Sequence, residues 1–270
     1  MTSHYIHGTS PEEQRRLSRL NDLLNAGSLR EAALQPGERV IDFGCGLGQL
    51  SRAMARVTGV PVVGVERSAA QIATALALAD DAGERDLIDL REAPVESPPL
   101  SDHEWAAFDV AHARFLLEHV PDPLTVVRSM VRAVRPGGRI ILQDDDHGVM
   151  RLWPEPPGFT ALWDAYMRTY DRHGNDPLVG RRLVQLLHQA GAQPRRNTWI
   201  FFGSCAGASD FPDFVANLHG VLAGALEAIL ETGLPRELAL GALEALIAWQ
   251  QRPDAAIWFA MAYAEGHRLG

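Results

Sequence analysis

An acid two residues ahead of alternating glycines carries the most chemistry in this sequence: Asp42-Phe43-Gly44-Cys45-Gly46-Leu47-Gly48. Glycine lets backbone come close to a ligand, because no Cβ stands in the way. A carboxylate just before such a turn suits a ligand that is cationic or rich in hydroxyls. Glu66 lies about 20 residues past the turn, where an acid meets ribose hydroxyls in nucleotide-binding α/β folds. A carboxylate there accepts from two vicinal hydroxyls at once. Further on, Asp144-Asp145-Asp146-His147 sets a histidine beside three acids, so His147 could serve as a base with Asp144 or a neighbour orienting it. Three adjacent acids cannot all be buried and ionised, so at least one is expected to face solvent. His119 is a second candidate base. His112, inside an apolar run, reads as a hydrogen-bonded core or pocket-edge histidine. Cys45 reads as a small packed residue of the turn rather than a nucleophile, and with the distant Cys205 it makes no metal-ligand spacing.

The glycine spacing discriminates between ligands. A dinucleotide fingerprint is G-x-G-x-x-G, with a pyrophosphate on the helix N-terminus. Here Gln49 stands where the third of those glycines belongs. A buried acid ahead of the turn would also repel a pyrophosphate. No Lys follows the glycines, which excludes a Walker loop, and the chain contains no Lys anywhere.

The elements that must position these groups follow from the apolar patterning. Strands are expected at about Arg39–Phe43, Pro61–Val65, Ile88–Arg91, Phe108–Ala113 and Arg139–Gln143, alternating with helices that begin near Leu50, Ser68 and Leu124. Arg135-Pro136-Gly137-Gly138 is expected to be a turn. Ahead of the first strand, Ser10-Pro11-Glu12-Glu13 is a helix start, followed by Leu17, Leu20, Leu23 and Leu24 at helical spacing. The later half gives helices over Phe159–His173, Leu178–Ala190, Phe211–Glu231 and Arg236–Gln251, with a strand at Thr198–Phe202. Trp153, Phe159, Trp163, Tyr166, Tyr170 and His173 make an aromatic-rich segment. Half of it is expected in a core, and the rest could line a pocket for a flat or lipophilic acceptor.

The acid-plus-glycine turn resembles the first motif of class I S-adenosylmethionine-dependent methyltransferases. Two further segments carry the same resemblance: Phe108-Asp109 running through Leu117-Glu118-His119 to Asp122, and Arg135-Pro136-Gly137-Gly138 before an apolar strand. Together they are similar to the small-molecule methyltransferases of ubiquinone and menaquinone biosynthesis. That family implies an α/β fold with a Rossmann-like, seven-stranded, mostly parallel sheet, helices on both faces, an antiparallel last strand at Ala256–Ala264 and a helical lid. It implies S-adenosyl-L-methionine as cofactor, its methionine part held by Asp42, Gly44, Cys45, Gly46 and Gly48. Glu66 and Arg67 would flank the ribose, Glu92 and Ala93 the adenine, and Arg114 the loop after the fourth strand. An N-terminal helix that closes over the cofactor would bring Tyr5 and Arg15. His119, Asp144 and His147 are the candidate acceptor-side residues. The second acidic cluster of a catechol-type divalent-metal site is not evident, so no metal is expected.

Composition agrees with a soluble enzyme. The chain has 270 residues, 46% hydrophobic and 22% charged, and a net charge of −9, which argues against nucleic acid as partner. No apolar run follows a basic start and none could span a bilayer, so a cytoplasmic protein without a membrane partner is expected. The expected organisation is an N-terminal helical cap over 1–35, a cofactor-binding core over 36–203, a helical insertion over 204–254 and a last core strand over 255–270. The expected partner is a small-molecule acceptor, with a homodimer as a further expectation. The alternative is a protein that keeps the fold and the cofactor without transferring methyl, such as a cyclase or a complex partner.

Overall fold

The first strand forms because four consecutive buried residues, Val40–Phe43 (β1), find a strand on each side. Parallel strands buried on both faces read as continuous apolar runs rather than alternating ones. β1 lies between Val62–Glu66 (β2) and Phe108–Arg114 (β4), parallel to both. Outside β2 runs Ile88–Glu92 (β3), and outside β4 runs Val134–Asp145 (β5). The computed structural model describes residues 24–270, with the side chains of residues 172 and 173 excepted. The expected helix start at Ser10, and Tyr5 and Arg15, lie outside the described residues.

Described residues fall into two compact units. The larger comprises Asn25–Asp146, Leu178–Ile200 and Met261–Gly270. Its strand order is β3-β2-β1-β4-β5-β8, with β8 (Ala256–Arg268) antiparallel to β5 from Arg139↔His267 to Asp145↔Met261. β7 (Ala192–Cys205) also pairs with β8, as the family resemblance implies. Chain order reverses at β1, which is where an open α/β sheet opens a crevice at its carboxyl ends. Ile41, Phe43, Ile140 and Leu142 enter a core with Val126, Val127 and Met130 of α4 (Pro123–Ala133) and Leu183, Leu186 and Leu187 of α6 (Leu183–Gln189). Alternation sends Asp42, Ile141 and Gln143 to the opposite face.

Helices α1 (described over 24–32), α2 (Gln49–Thr58) and α3 (Ala69–Asp81) complete the near half of this unit. α2 buries Leu50, Ala53, Met54 and Thr58 at helical spacing and stops at Gly59, whose left-handed backbone lets its N–H return to the Ala55 carbonyl. α3 starts at Ser68, whose hydroxyl accepts from the Gln71 N–H.

Among the described residues the smaller unit comprises Leu24, His147–Pro177 and Phe201–Ala260. Its core joins Phe159, Leu162, Trp163, Tyr166 and Tyr170 to α7 (Phe211–Gly224), α8 (Leu226–Glu231) and α9 (Arg236–Trp249). Helix α5 covers only Phe159–Arg168, tightening into a 3-10 turn over Thr169–His173. The expected single helix Phe211–Glu231 is broken at Ala225.

Two sequence expectations need correction. Among the described residues the strands number eight, one more than expected. The extra one, Arg151–Trp153 (β6), pairs antiparallel with residues 256–258. Arg135–Gly138 is not a separate turn: β5 already starts at Val134, and a bulge shifts the register so that Phe108 faces Val134 while Val110 faces Arg139. Among the described residues no helix is long and apolar enough to cross a membrane.

Candidate functional site

The turn after β1 is built as its glycines require. Gly44, Gly46 and Gly48 have φ of +70°, +53° and +67°, a region that side chains with a Cβ disfavour. A Cβ on Gly44 would also stand 2.8 Å from the Leu116 Cδ1. The N–H groups of Gly44 and Cys45 donate to the Val65 carbonyl at 2.8 and 3.2 Å, so the turn folds back over the end of β2. There Glu66 accepts from the Gly46 N–H at 3.2 Å and from the Ser68 N–H at 2.9 Å. Glu66 faces Glu92 across the β2–β3 ladder, and its carbonyl takes the Ala93 N–H at 3.0 Å. The structure therefore brings Gly44, Cys45, Gly46, Gly48, Glu66, Glu92 and Ala93 together. Glu92 and Arg67 are exposed. Burial, reinforced by Asp42 and Glu66, pushes the Cys45 thiol well up, so it stays protonated as the packed residue the sequence implied.

Asp42 is committed to the protein. It is buried, with Oδ2 accepting from the Ser51 hydroxyl at 2.6 Å and Oδ1 meeting the His112 Nδ1 at 2.8 Å. Asp42 and His112 face each other across the β1–β4 ladder. This carboxylate binds the first turn of α2 to the neighbouring strand and so fixes the glycine turn between them. Ser51 was not singled out from the sequence, although its place one turn into the helix was a readable signal.

Arg114 ends β4. Its guanidinium donates to the Ser28 hydroxyl at 3.1 Å and to the Asn25 side-chain oxygen at 2.8 Å, both on α1. Burial pushes it down to about 10, against the opposing pull of Asp42 and Asp145, so it remains a cation at neutral pH.

The expectation that one of the three adjacent acids faces solvent fails: Asp144, Asp145 and Asp146 are all buried. Each is accommodated differently. Asp144 accepts three main-chain N–H bonds, from Leu116 and Leu117 on Oδ2 and from Asp145 on Oδ1. It thereby shapes the loop after β4. Asp146 takes both arms of Arg181, at 2.6 and 3.0 Å. Asp145 has neither kind of support. Burial, then Glu118 and Asp146, pushes its carboxyl well above the usual range, and Arg114 only partly opposes this. Burial raises Asp144 as well, but its three N–H donors favour the ionised form, so Asp145 is the member of the pair that holds the proton. A carboxyl raised in the native state lends stability at low pH and loses it as pH rises through the native value. The thermal midpoint should therefore fall as pH is raised from the ordinary carboxylate range upward, and Asp145→Asn should flatten that fall. A melting series from that range upward checks it, and an equal fall in the variant would refute it.

His119 closes the 3-10 turn Leu117–His119 with its side chain half exposed, and its Nε2 lies 3.5 Å from the Glu118 Oε1. His147 is buried in the smaller unit. Its ring meets Trp163, Tyr166 and Tyr170 at centroid distances of 5.4, 5.7 and 5.4 Å, and its Nε2 lies 3.2 Å from the Tyr170 hydroxyl. Phe159, Trp163, Tyr166 and Tyr170 are core residues there, whereas Trp153 is exposed.

Comparison with known proteins settles the family. A profile described as a methyltransferase domain matches residues 12–196. The chain belongs to the methyltransferase family. The ubiquinone biosynthesis O-methyltransferase of Paracidovorax citrulli is 40% identical over 126 residues, 47% of this chain and 51% of that protein. The 27-O-demethylrifamycin SV methyltransferase of Amycolatopsis mediterranei is 37% identical over 144 residues, 53% of this chain and 48% of that protein. The matched region thus spans about half the length of these curated relatives. Among solved structures, geranyl diphosphate C-methyltransferase from Streptomyces coelicolor, with Mg2+, geranyl diphosphate and S-adenosyl-L-homocysteine, superposes with a TM-score of 0.57 at 15% identity, covering 93% of this chain and 78% of that one. The cyclase SpnF superposes with a TM-score of 0.57 at 21% identity, covering 92% and 82%. These structural likenesses establish the methyltransferase fold.

Proposed function

We propose that this methyltransferase binds S-adenosyl-L-methionine at the carboxyl ends of β1–β4 and transfers its methyl group to a small-molecule acceptor, on an oxygen. The observation that carries this reading is the Gly44–Gly48 turn closed onto Glu66. The turn contains no basic residue, and Asp42, Glu66 and Glu92 surround it, so it suits a cationic ligand rather than a phosphate. The residues present fit the cofactor on that count, and on the open approach that three glycines leave. The O-methyltransferase relatives support oxygen as the acceptor atom.

When bound, the cofactor supplies an activated methyl group with its own leaving group. The protein's part is then to hold, orient and exclude water. Glu66, with one oxygen on the Gly46 N–H and one on the Ser68 N–H, retains further lone pairs for vicinal hydroxyls. Exposed Glu92, beside it in register, would meet an exocyclic amine with its carboxylate. Arg114, held by α1, counters the charge of Asp42 and Asp145 at the mouth of β4. Incubating the purified chain with methyl-labelled cofactor and a panel of hydroxylated acceptors tests the reading. Label should pass to a phenol or alcohol. Absence of cofactor binding by calorimetry would overturn the site, and binding with no transfer to any acceptor would favour the non-methylating alternative.

A further inference from the structure

The end of β5 carries polar side chains that the fold leaves unsatisfied. Gln143 is fully buried, and among the described residues neither its Oε1 nor its Nε2 has a hydrogen-bond partner. Two residues on, the buried Oδ1 of Asp145 has none either. Residues two apart on a strand point to the same face, at a spacing of about 6.6 Å, so the two side chains project side by side. Their lateral neighbours are occupied. Arg114 pairs with Gln143 across the β4–β5 ladder but gives its guanidinium to Asn25 and Ser28. Tyr263 pairs with Gln143 from β8 but donates its hydroxyl to Glu265 at 2.8 Å.

Buried polar groups in native proteins are partnered almost without exception, and an orphan amide is a cost that a leucine of similar size would not carry. Three orphan atoms on one stretch of one strand face therefore point to a partner that arrives with a ligand. The chemistry of the pair selects its class. An ammonium has no acceptor to offer the Gln143 Nε2. A carboxylate would approach Asp145 where Glu118 and Asp146 already crowd it with like charge. A neutral hydroxyl accepts with its oxygen and donates with its hydrogen, so one group answers both side chains.

We propose that Gln143 and Asp145 form the subsite that takes a hydroxyl of the methyl acceptor, Gln143 donating to its oxygen and the Asp145 Oδ1 accepting its hydrogen. The assignment rests on the reading of the chain as a transferase with a hydroxylated acceptor. It adds specificity-determining residues on β5 to the cofactor-side residues of β1–β4. A site built to hydrogen-bond a hydroxyl rejects the capped analogue strongly, because its buried groups are then left unpaired.

Phenol and anisole, which differ by one methyl on the oxygen, are the probes. Each is titrated by calorimetry into the full chain with and without S-adenosyl-L-homocysteine. The wild type should prefer phenol by about tenfold or more, and Gln143→Leu and Asp145→Leu, which remove the donor and the acceptor respectively, should each reduce the preference to about twofold. Ligand-free Gln143→Leu should melt a few degrees above the wild type, since the orphan amide is gone. Equal binding of phenol and anisole by the wild type would overturn the proposal, as would a preference that survives both substitutions. A lowered midpoint in Gln143→Leu would overturn it too, by showing that the amide is already satisfied within the protein. Should Gln143→Leu fail to fold, Asp145→Leu still decides the outcome. Failure of the wild type to bind S-adenosyl-L-homocysteine would sink the cofactor reading instead, while the phenol preference measured without it still judges the subsite.

Discussion

Asp42→Ala is expected to lower the thermal midpoint by roughly 10 °C, while Glu66→Ala leaves the fold nearly intact and weakens cofactor binding about tenfold to a hundredfold. The two acids stand at the ends of adjacent parallel strands and look equivalent in sequence. Their partners separate them. Both oxygens of Asp42 are engaged from inside the protein, by Ser51 and His112, and the residue is only 4% exposed. Removing it leaves a buried hydroxyl and a buried imidazole without an acceptor, and breaking such a buried set costs about 3 kcal/mol or more. Glu66 is also buried, at 8% exposure, but it accepts only main-chain N–H groups, from the half-buried Gly46 and Ser68. Those donors can turn to water when the carboxylate goes, so stability changes little, whereas a ligand loses its acceptor. Denaturation and calorimetry on both variants check the pair of expectations. Equal loss of affinity with equal stability in the two would show that Asp42 contacts ligand directly.

That division of labour was not legible in the sequence, and the reason is distance along the chain. The glycine turn, the strand before it and the acid ending β2 are local features, written in consecutive residues, and they emerged where expected. The partners of Asp42 come from 9 and 70 residues away. Arg181, which neutralises Asp146, comes from 35 residues away. Without that arginine the run Asp144-Asp145-Asp146 has to be read as partly solvated. With it, and with three main-chain donors on Asp144, all three acids can be buried. β6 escaped because three residues carry no usable period, and β7 was read short because much of it is exposed at an edge, which hides its apolar alternation. Gln143 was read only as the end of an apolar strand; its orphan amide exists only once Arg114 and Tyr263 are placed beside it.

Gly180→Ala should destabilise the chain by about 1–3 kcal/mol, although the same substitution at Gly241 should stabilise it by up to about 1 kcal/mol. Both glycines have ordinary backbone angles, so the difference is one of space. Gly241 lies within α9, and a Cβ there would meet nothing within 4 Å. Alanine then gains helix propensity alone. Gly180 sits in the 3-10 turn Val179–Arg182, and a Cβ there would stand 2.7 Å from the Asp145 carbonyl oxygen and 2.9 Å from its carbon. Main chain cannot swing aside as a side chain can, so either the end of β5 or the turn must move. The consequence reaches the proposed acceptor subsite. Arg181, the next residue, holds Asp146, and Asp145 hangs from the strand that would shift. Gly180→Ala should therefore erase the preference for phenol over anisole, while S-adenosyl-L-homocysteine still binds at the β1–β2 end. Melting curves and titrations of the two alanine variants give four numbers with predicted signs. A Gly180→Ala protein as stable as the wild type would show that the close approach of this turn to Asp145 is not what holds the strand end in place.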